Sequence, residues 1–195
     1  FVDELIQQGF TSKEASKEVT NTIDLFVQYA GWSDKFQQVF STVNPVQSKH
    51  FNFSAPTPMG VVGIFSPEEN PLLGIAATLA PIIVGGNTCV VLASESSPLS
   101  ALTLAEVINS SDVPAGVVNI LSGLKSELIE HFSKHMDINA IVYNGKTASE
   151  IDTLKENSTL NLKRVFLKDQ VSDKSDPYSI IDCQEVKTTW HPIGI

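Results

Sequence analysis

Cationic residues are scarce in this chain of 195 residues: 13 Lys and Arg stand against 22 Asp and Glu, a net charge of −9. Phosphate backbones are held mainly by Lys and Arg, so nucleic acid is a poor partner, and an anionic membrane surface is disfavoured on the same ground. Cysteine is nearly missing. Cys89 and Cys183 are the only two, far apart in apolar or strand-like settings. That is too few for a secreted disulfide framework and points to a reducing, cytoplasmic compartment. No apolar run reaches the roughly 18–20 residues of a membrane span. The opening FVDELIQQG carries acids where a signal peptide is basic, and Phe1 in place of Met suggests a piece of a longer protein. Without a secretory leader, the sequons at Asn52, Asn109 and Asn157 read as chance.

What remains suits an ordinary folded core, with 42% hydrophobic and 18% charged residues. Thr11-Ser-Lys-Glu14 has the form of a capping box, and Ala15, Val19, Ile23, Phe26 and Ala30 follow as one buried helical stripe. Trp32 to Phe40 continues as helix until Asn44-Pro45. His50 to Ser54 alternates like a short strand, which Pro56 and Pro58 are expected to stop. From Met59 the texture changes. Strands are expected at Val61–Phe65, Thr88–Leu92, Val117–Leu121, Ile138–Tyr143 and Arg164–Leu167. Helices lie between them at Pro71–Val84, Pro98–Asn109 (Leu102, Ala105, Val107 and Ile108 inward), Leu124–His135 and Thr147–Glu156. That alternation argues for βαβ units around a parallel sheet, an α/β fold. Ile180 to Trp190 reads as one last strand, with only the strand near Phe51 to Phe53 as a partner.

Several motifs invite chemistry and fall short of it. Gly145-Lys146-Thr147 lacks the Gly of a P-loop, since Ala140 stands there in mid-strand; an ordinary strand–helix turn is favoured over a phosphate cradle. His131 and His135 have the spacing of a zinc helix, but Phe132 replaces the Glu base and no third ligand follows, so no metal site is expected. Cys89 in a buried strand is an inert thiol. Ser94-Glu-Ser-Ser97 lacks a nucleophile elbow, and Ser97-Pro98 looks like a helix start. In Phe65-Ser-Pro-Glu-Glu-Asn-Pro71, Asn70 is the expected N-cap and Pro71 the first helical residue, with Glu68 and Glu69 near the positive helix end.

The stretch Gln28-Tyr-Ala-Gly-Trp-Ser-Asp-Lys35 resembles the YAGWADK stretch of aldehyde dehydrogenases. The block from Pro58 to Gly123 is similar to the first half of their cofactor domain, and Glu185-Val-Lys-Thr188 resembles the EVKT of their assembly strand. Within the family, the acidic turn and the tryptophan near the C-terminus resemble the degenerate C-terminal domain of aldehyde dehydrogenase family 16. The resemblance implies an N-terminal helical segment over 1–45, a Rossmann-like, degenerate NAD-binding domain over 58–170, and oligomerisation strands over 46–57 and 178–195.

Against the family's motifs, catalytic functions are lost. Glu69 takes the place of the Asn that stabilises the oxyanion in PWNFP, and an ionised carboxylate cannot donate a hydrogen bond there. Lys168 stands where LELGG carries the general base, and an ammonium has no lone pair to accept a proton. No nucleophilic cysteine follows, because the chain passes straight to the EVKT strand, where Cys183 is expected to lie. No catalytic residue is therefore assigned. For the cofactor, Leu92-Ala-Ser-Glu95 keeps the Glu of KPSE but loses its Lys. Gly145-Lys-Thr-Ala-Ser-Glu150 keeps Gly145 and Thr147 of GSTEVG but ends in an acid. Glu95, Gly145 and Thr147 are thus the candidate NAD-binding residues. The resemblance implies a non-catalytic domain that associates with copies of itself or with a companion aldehyde dehydrogenase domain. The alternatives are part of an NAD-dependent dehydrogenase whose catalytic residues lie elsewhere in the full protein, or an NAD sensor.

Overall fold

The computed structural model describes residues 1–194. Helices α1 (Val2–Gln7), α2 (Ser12–Ala30) and α3 (Phe36–Phe40) come first. The capping box of Thr11 and Glu14 forms as expected. The buried stripe of α2 is Ala15, Glu18, Thr22, Leu25 and Tyr29, with Val19 and Phe26 half-buried, while Ile23 and Ala30 are exposed. The stripe is rotated from its apolar pattern because Glu18 is drawn inward, where its carboxylate meets another helix (below).

Strands β1 (Thr42–Asn44), β2 (His50–Pro58) and β3 (Val61–Phe65) follow, then α4 (Pro71–Val84), β4 (Thr88–Leu92), α5 (Leu99–Asn109), β5 (Val118–Leu121) and α6 (Lys125–Lys134). The chain ends with β6 (Ile138–Asn144), α7 (Ala148–Ser158), β7 (Arg164–Lys168), α8 (Tyr178–Asp182) and β8 (Gln184–Pro192). Five strands make a parallel sheet in the order β5-β4-β3-β6-β7. Numbered within the sheet that order is 3-2-1-4-5, the Rossmann arrangement. The α/β expectation is met.

The sheet is covered on both faces, so its central strands β3, β4 and β6 are largely apolar and buried rather than alternating. Ala140 and Val142 of β6 join Val62, Ile64, Cys89 and Val91 under Ile75 and Leu79 of α4 and Leu104 of α5. Ile141 and Tyr143 join Phe65 and Leu92 under Ile129 and Phe132 of α6 and Leu154 of α7. Leu102 and Val107 of α5 are exposed, and Ser100, Ala101 and Leu104 face inward instead.

A second sheet, antiparallel, has the order β1-β2-β8. Pro56 and Pro58 do not stop β2. The Lys49 carbonyl accepts from the Ile193 N–H, so odd positions of β2 turn their backbone toward β8 and even positions toward β1. Pairing with β1 ends at Ser54, and beyond it a missing N–H breaks no ladder bond. The single strand expected over Ile180–Trp190 is corrected: α8 intervenes, begun by Pro177 and by Asp176 Oδ1, which accepts from the Tyr178 N–H at 2.9 Å. Cys183 therefore sits in the turn before β8, buried, and not inside the strand.

Candidate functional site

After β3 the chain leaves for one face of the sheet, and after β6 for the other. A crevice opens between the carboxyl ends of these two neighbouring strands, the place where doubly wound sheets hold ligands. It measures about 620 Å³ and is walled by the turn Pro67–Asn70, by Tyr143–Thr147, by Lys125, and by Lys168–Val171. Asn144, buried at the end of β6, donates to the Phe65 carbonyl at 2.9 Å and to Thr78 Oγ1 at 3.3 Å, fixing the floor.

The turn after β3 is held from two sides. Asn70 stands at the N-cap position with Pro71 first in the helix, as expected, but it adopts a left-handed conformation (φ 53°, ψ 62°) and its side chain makes no cap bond. Glu18 of α2 caps α4 instead: its Oε1 accepts from the N–H groups of Leu72 at 2.8 Å and Leu73 at 3.1 Å. Two amide donors that the helix leaves open are satisfied by one carboxylate at the positive helix end. Burial pushes the Glu18 carboxyl above its ordinary range, and the two amides pull it only partly back. A side chain at Gly74 would collide with Pro67, so glycine lets the turn lie flat on α4.

Glu68 points away from α4, toward the turn after β4. It accepts from Ser94 Oγ at 2.6 Å, Ser96 Oγ at 2.8 Å, the Ser96 N–H at 3.1 Å and the Glu95 N–H at 3.3 Å. Lys125 Nζ lies 3.6 Å from Oε1, the oxygen that also takes the Glu95 N–H. Burial alone would raise this carboxyl, but the serine and amide donors outweigh burial and hold it at about 2.

On the opposite wall Tyr143 Oη donates to Glu150 in the first turn of α7. Burial, together with that carboxylate, pushes the phenol above its ordinary value. A Cβ at Gly145 would stand 2.5 Å from Tyr143 Oη, so the glycine is required by the ring folded beneath it. Lys125 lies 5.8 Å from the Tyr143 ring centroid, which joins the two walls through one ammonium.

The candidate residues divide. Gly145 and Thr147 line the crevice, Thr147 as the extended N-cap of α7 without a side-chain cap bond. Glu95 does not line it: its Oε1 accepts from the Lys125 N–H at the start of α6. Glu69 and Lys168 do line the crevice, and neither cysteine does. Burial pushes Cys89 up to about 12 and Cys183 up to about 11, so both are thiols at neutral pH. His131 lies on α6 but His135 falls just past its end, in extended backbone, so the two imidazoles do not share one helix. Among the described residues no His, Cys, Asp or Glu group is disposed to hold a metal.

Sequence reading missed Glu18, Lys125 and Tyr143. Only Glu18 left a signal, as an acid one helical turn from Ala15 and Thr22 on the same face.

Residues 4–170 match the aldehyde dehydrogenase family. The chain belongs to that family. It is 31% identical over 194 residues to an aldehyde dehydrogenase of Emericella nidulans, covering 98% of this chain and 38% of the relative. It is 35% identical over 153 residues to human retinal dehydrogenase 2, covering 77% and 29%. Among solved structures it superposes on PnpE (from Pseudomonas sp. WBC-3) in complex with nicotinamide adenine dinucleotide. That match has a TM-score of 0.78 at 30% identity, covering 85% of this chain and 34% of the other. The chain thus spans roughly a third of the length of these three proteins (38%, 29% and 34%). No described helix is long and apolar enough to cross a membrane.

Proposed function

We propose that this chain is a non-catalytic aldehyde-dehydrogenase-like domain with a structural, self-associating role in a larger protein, most like the degenerate C-terminal domain of family 16. One observation carries the reading: the crevice presents Glu69 and Lys168 where an oxyanion donor and a base are needed, and no thiol lines it. A carboxylate opposes a developing oxyanion, an ammonium accepts no proton, and thiols held at about 12 and about 11 supply no thiolate. In this reading the described residues supply no machinery for covalent oxidation of an aldehyde.

The associating element is the second sheet. β8 is exposed along almost its whole length, its outer edge carries unpaired backbone groups, and Val186 and Trp190 are 68% and 56% exposed. An open strand with apolar side chains is suited to another chain of the same kind. The partner is a second copy or a companion aldehyde dehydrogenase domain of the same protein, in the cytoplasm, without nucleic acid or membrane. Sedimentation velocity of the chain tests this. A concentration-dependent dimer or larger species, lost on Val186→Lys with Trp190→Lys, is expected; a monomer at high concentration, indifferent to those changes, refutes it.

A second reading is favoured by the short span relative to relatives that are whole dehydrogenases. The chain is then one part of an NAD-dependent enzyme whose nucleophile and base lie elsewhere in the polypeptide. Aldehyde oxidation by the full-length protein, abolished by substituting a cysteine outside this segment, would establish it. In that reading, and in that of an NAD sensor, Gly145 and Thr147 would face the pyrophosphate and Glu95 a ribose.

A further inference from the structure

We propose that the Ser94–Ser96 turn is an oxyanion-binding site which this chain fills with its own Glu68 carboxylate, a latch drawn from the crevice wall across the turn after β4, which carries the candidate ribose contact Glu95. Four donors from one short turn converge on a single carboxylate, at 2.6, 2.8, 3.1 and 3.3 Å. The turn is preorganised for that task. Ser94 is 1% exposed and its Oγ accepts from the Ser97 N–H at 3.1 Å, which leaves its own proton aimed at Glu68. Two hydroxyls and one amide converge on Glu68 Oε2 while a second amide reaches Oε1, a donor set that suits a carboxylate or phosphate group. The Lys125 ammonium completes the charge balance from the crevice side.

The residues present do not fit a dinucleotide while this latch is closed. The superposed relative holds nicotinamide adenine dinucleotide, yet here the Glu95 carboxylate that a ribose hydroxyl would need accepts the Lys125 N–H. Glu68 lies across the turn that Glu95 belongs to. On the far wall Glu150, bound by Tyr143, brings a negative charge to the helix start where a pyrophosphate would lie. A dinucleotide must expel one carboxylate, strip the capping bond from another and approach a third. The low ionisation range of Glu68 agrees with a full charge resting in the site at all physiological pH.

The site would take a small carboxylate or phosphate once Glu68 is removed, and Glu68→Ala of this chain tests it. Melting curves are measured with sodium acetate, inorganic phosphate or NAD against sodium chloride at equal ionic strength, with calorimetric titration of NAD alongside. Glu68→Ala is expected to melt lower than the parent, and to be restored in part by acetate and by phosphate, while the parent responds to neither. NAD should bind Glu68→Ala about tenfold or more tightly than the parent, the worth of one hydrogen bond to a charged group. Adding Ser94→Ala and Ser96→Ala should abolish the rescue. Equal effects of the anions on parent and variant would mean adventitious ions only and overturn the site; equal NAD affinities would overturn the latch. Should Glu68→Ala not fold, Glu68→Gln keeps the shape, removes the charge and is read by the same titrations. Association through β8 and closure by Glu68 are independent, so sedimentation and titration can fail separately.

Discussion

The two sheets of this molecule solve opposite problems. The parallel sheet is sandwiched, with β6 buried along nearly its whole length and Ile141 and Tyr143 wholly shielded. The antiparallel sheet shows β8 to solvent at eight of its nine positions. In the first, side chains are fixed by packing within the chain. In the second, pairing of backbones keeps the register from His50↔Pro192 to Pro58↔Gln184 while most side chains on β8 touch little. Packing within the chain belongs to one sheet, and the association proposed above to the other.

Substitutions can break that contrast. Ile141→Ala empties a fully buried site and should cost about 2–5 kcal/mol in urea unfolding, whereas Val186→Ala should stay within about 0.5 kcal/mol. Equal losses would erase the distinction. Glu18→Ala strands two amides at the start of α4 and should cost about 1–3 kcal/mol, with Glu18→Gln losing less because its amide oxygen still accepts. Gly145→Ala drives a methyl into Tyr143 and should cost about 1–3 kcal/mol, together with a shift in the tyrosine absorbance titration as the bond to Glu150 is lost.

The smallest effect is one of pH, and Glu68 and Glu18 give it opposite signs. Glu68 is depressed, so its contribution is whole above the ordinary 4.5 and is lost as pH falls toward about 2. Glu18 is raised, so folding favours its protonated form, and its contribution is greatest below 4.5 and shrinks as pH climbs above that. Glu68→Gln should flatten the acid limb of the stability curve, and Glu18→Gln should lift stability at neutral pH relative to acid. An acid limb unchanged in Glu68→Gln would mean that the serine turn contributes nothing.

The parallel sheet was legible because its signal is local: VVGIF and NAIVY are apolar runs bounded by turn residues. The α4 cap was not. Asn70-Pro71 carries every local mark of an N-cap, yet the cap arrives from Glu18, 54 residues before Leu72, and no local pattern reports a tertiary partner. The same holds for Glu68, whose donors lie 26–28 residues on. The short helix α8 is different. Asp176-Pro177 is a local mark of a helix start, but the β-branched Ile180 and Ile181 that follow favour a strand. Family membership and the α/β fold were readable; the carboxylates that occupy the site had to be seen.

Pro56 and Pro58 have a consequence for assembly. On the side of β2 away from β8, β1 covers three residues and two of the next four have no N–H to offer. An incoming strand finds no continuous ladder there, and the short β1 is itself a poor template. The sheet can therefore lengthen on the β8 side alone. Under the proposed association, a surface with one sticky edge and one spent edge pairs once and then has nothing left to give, so copies meeting edge to edge would close as twofold pairs and not run on into fibres.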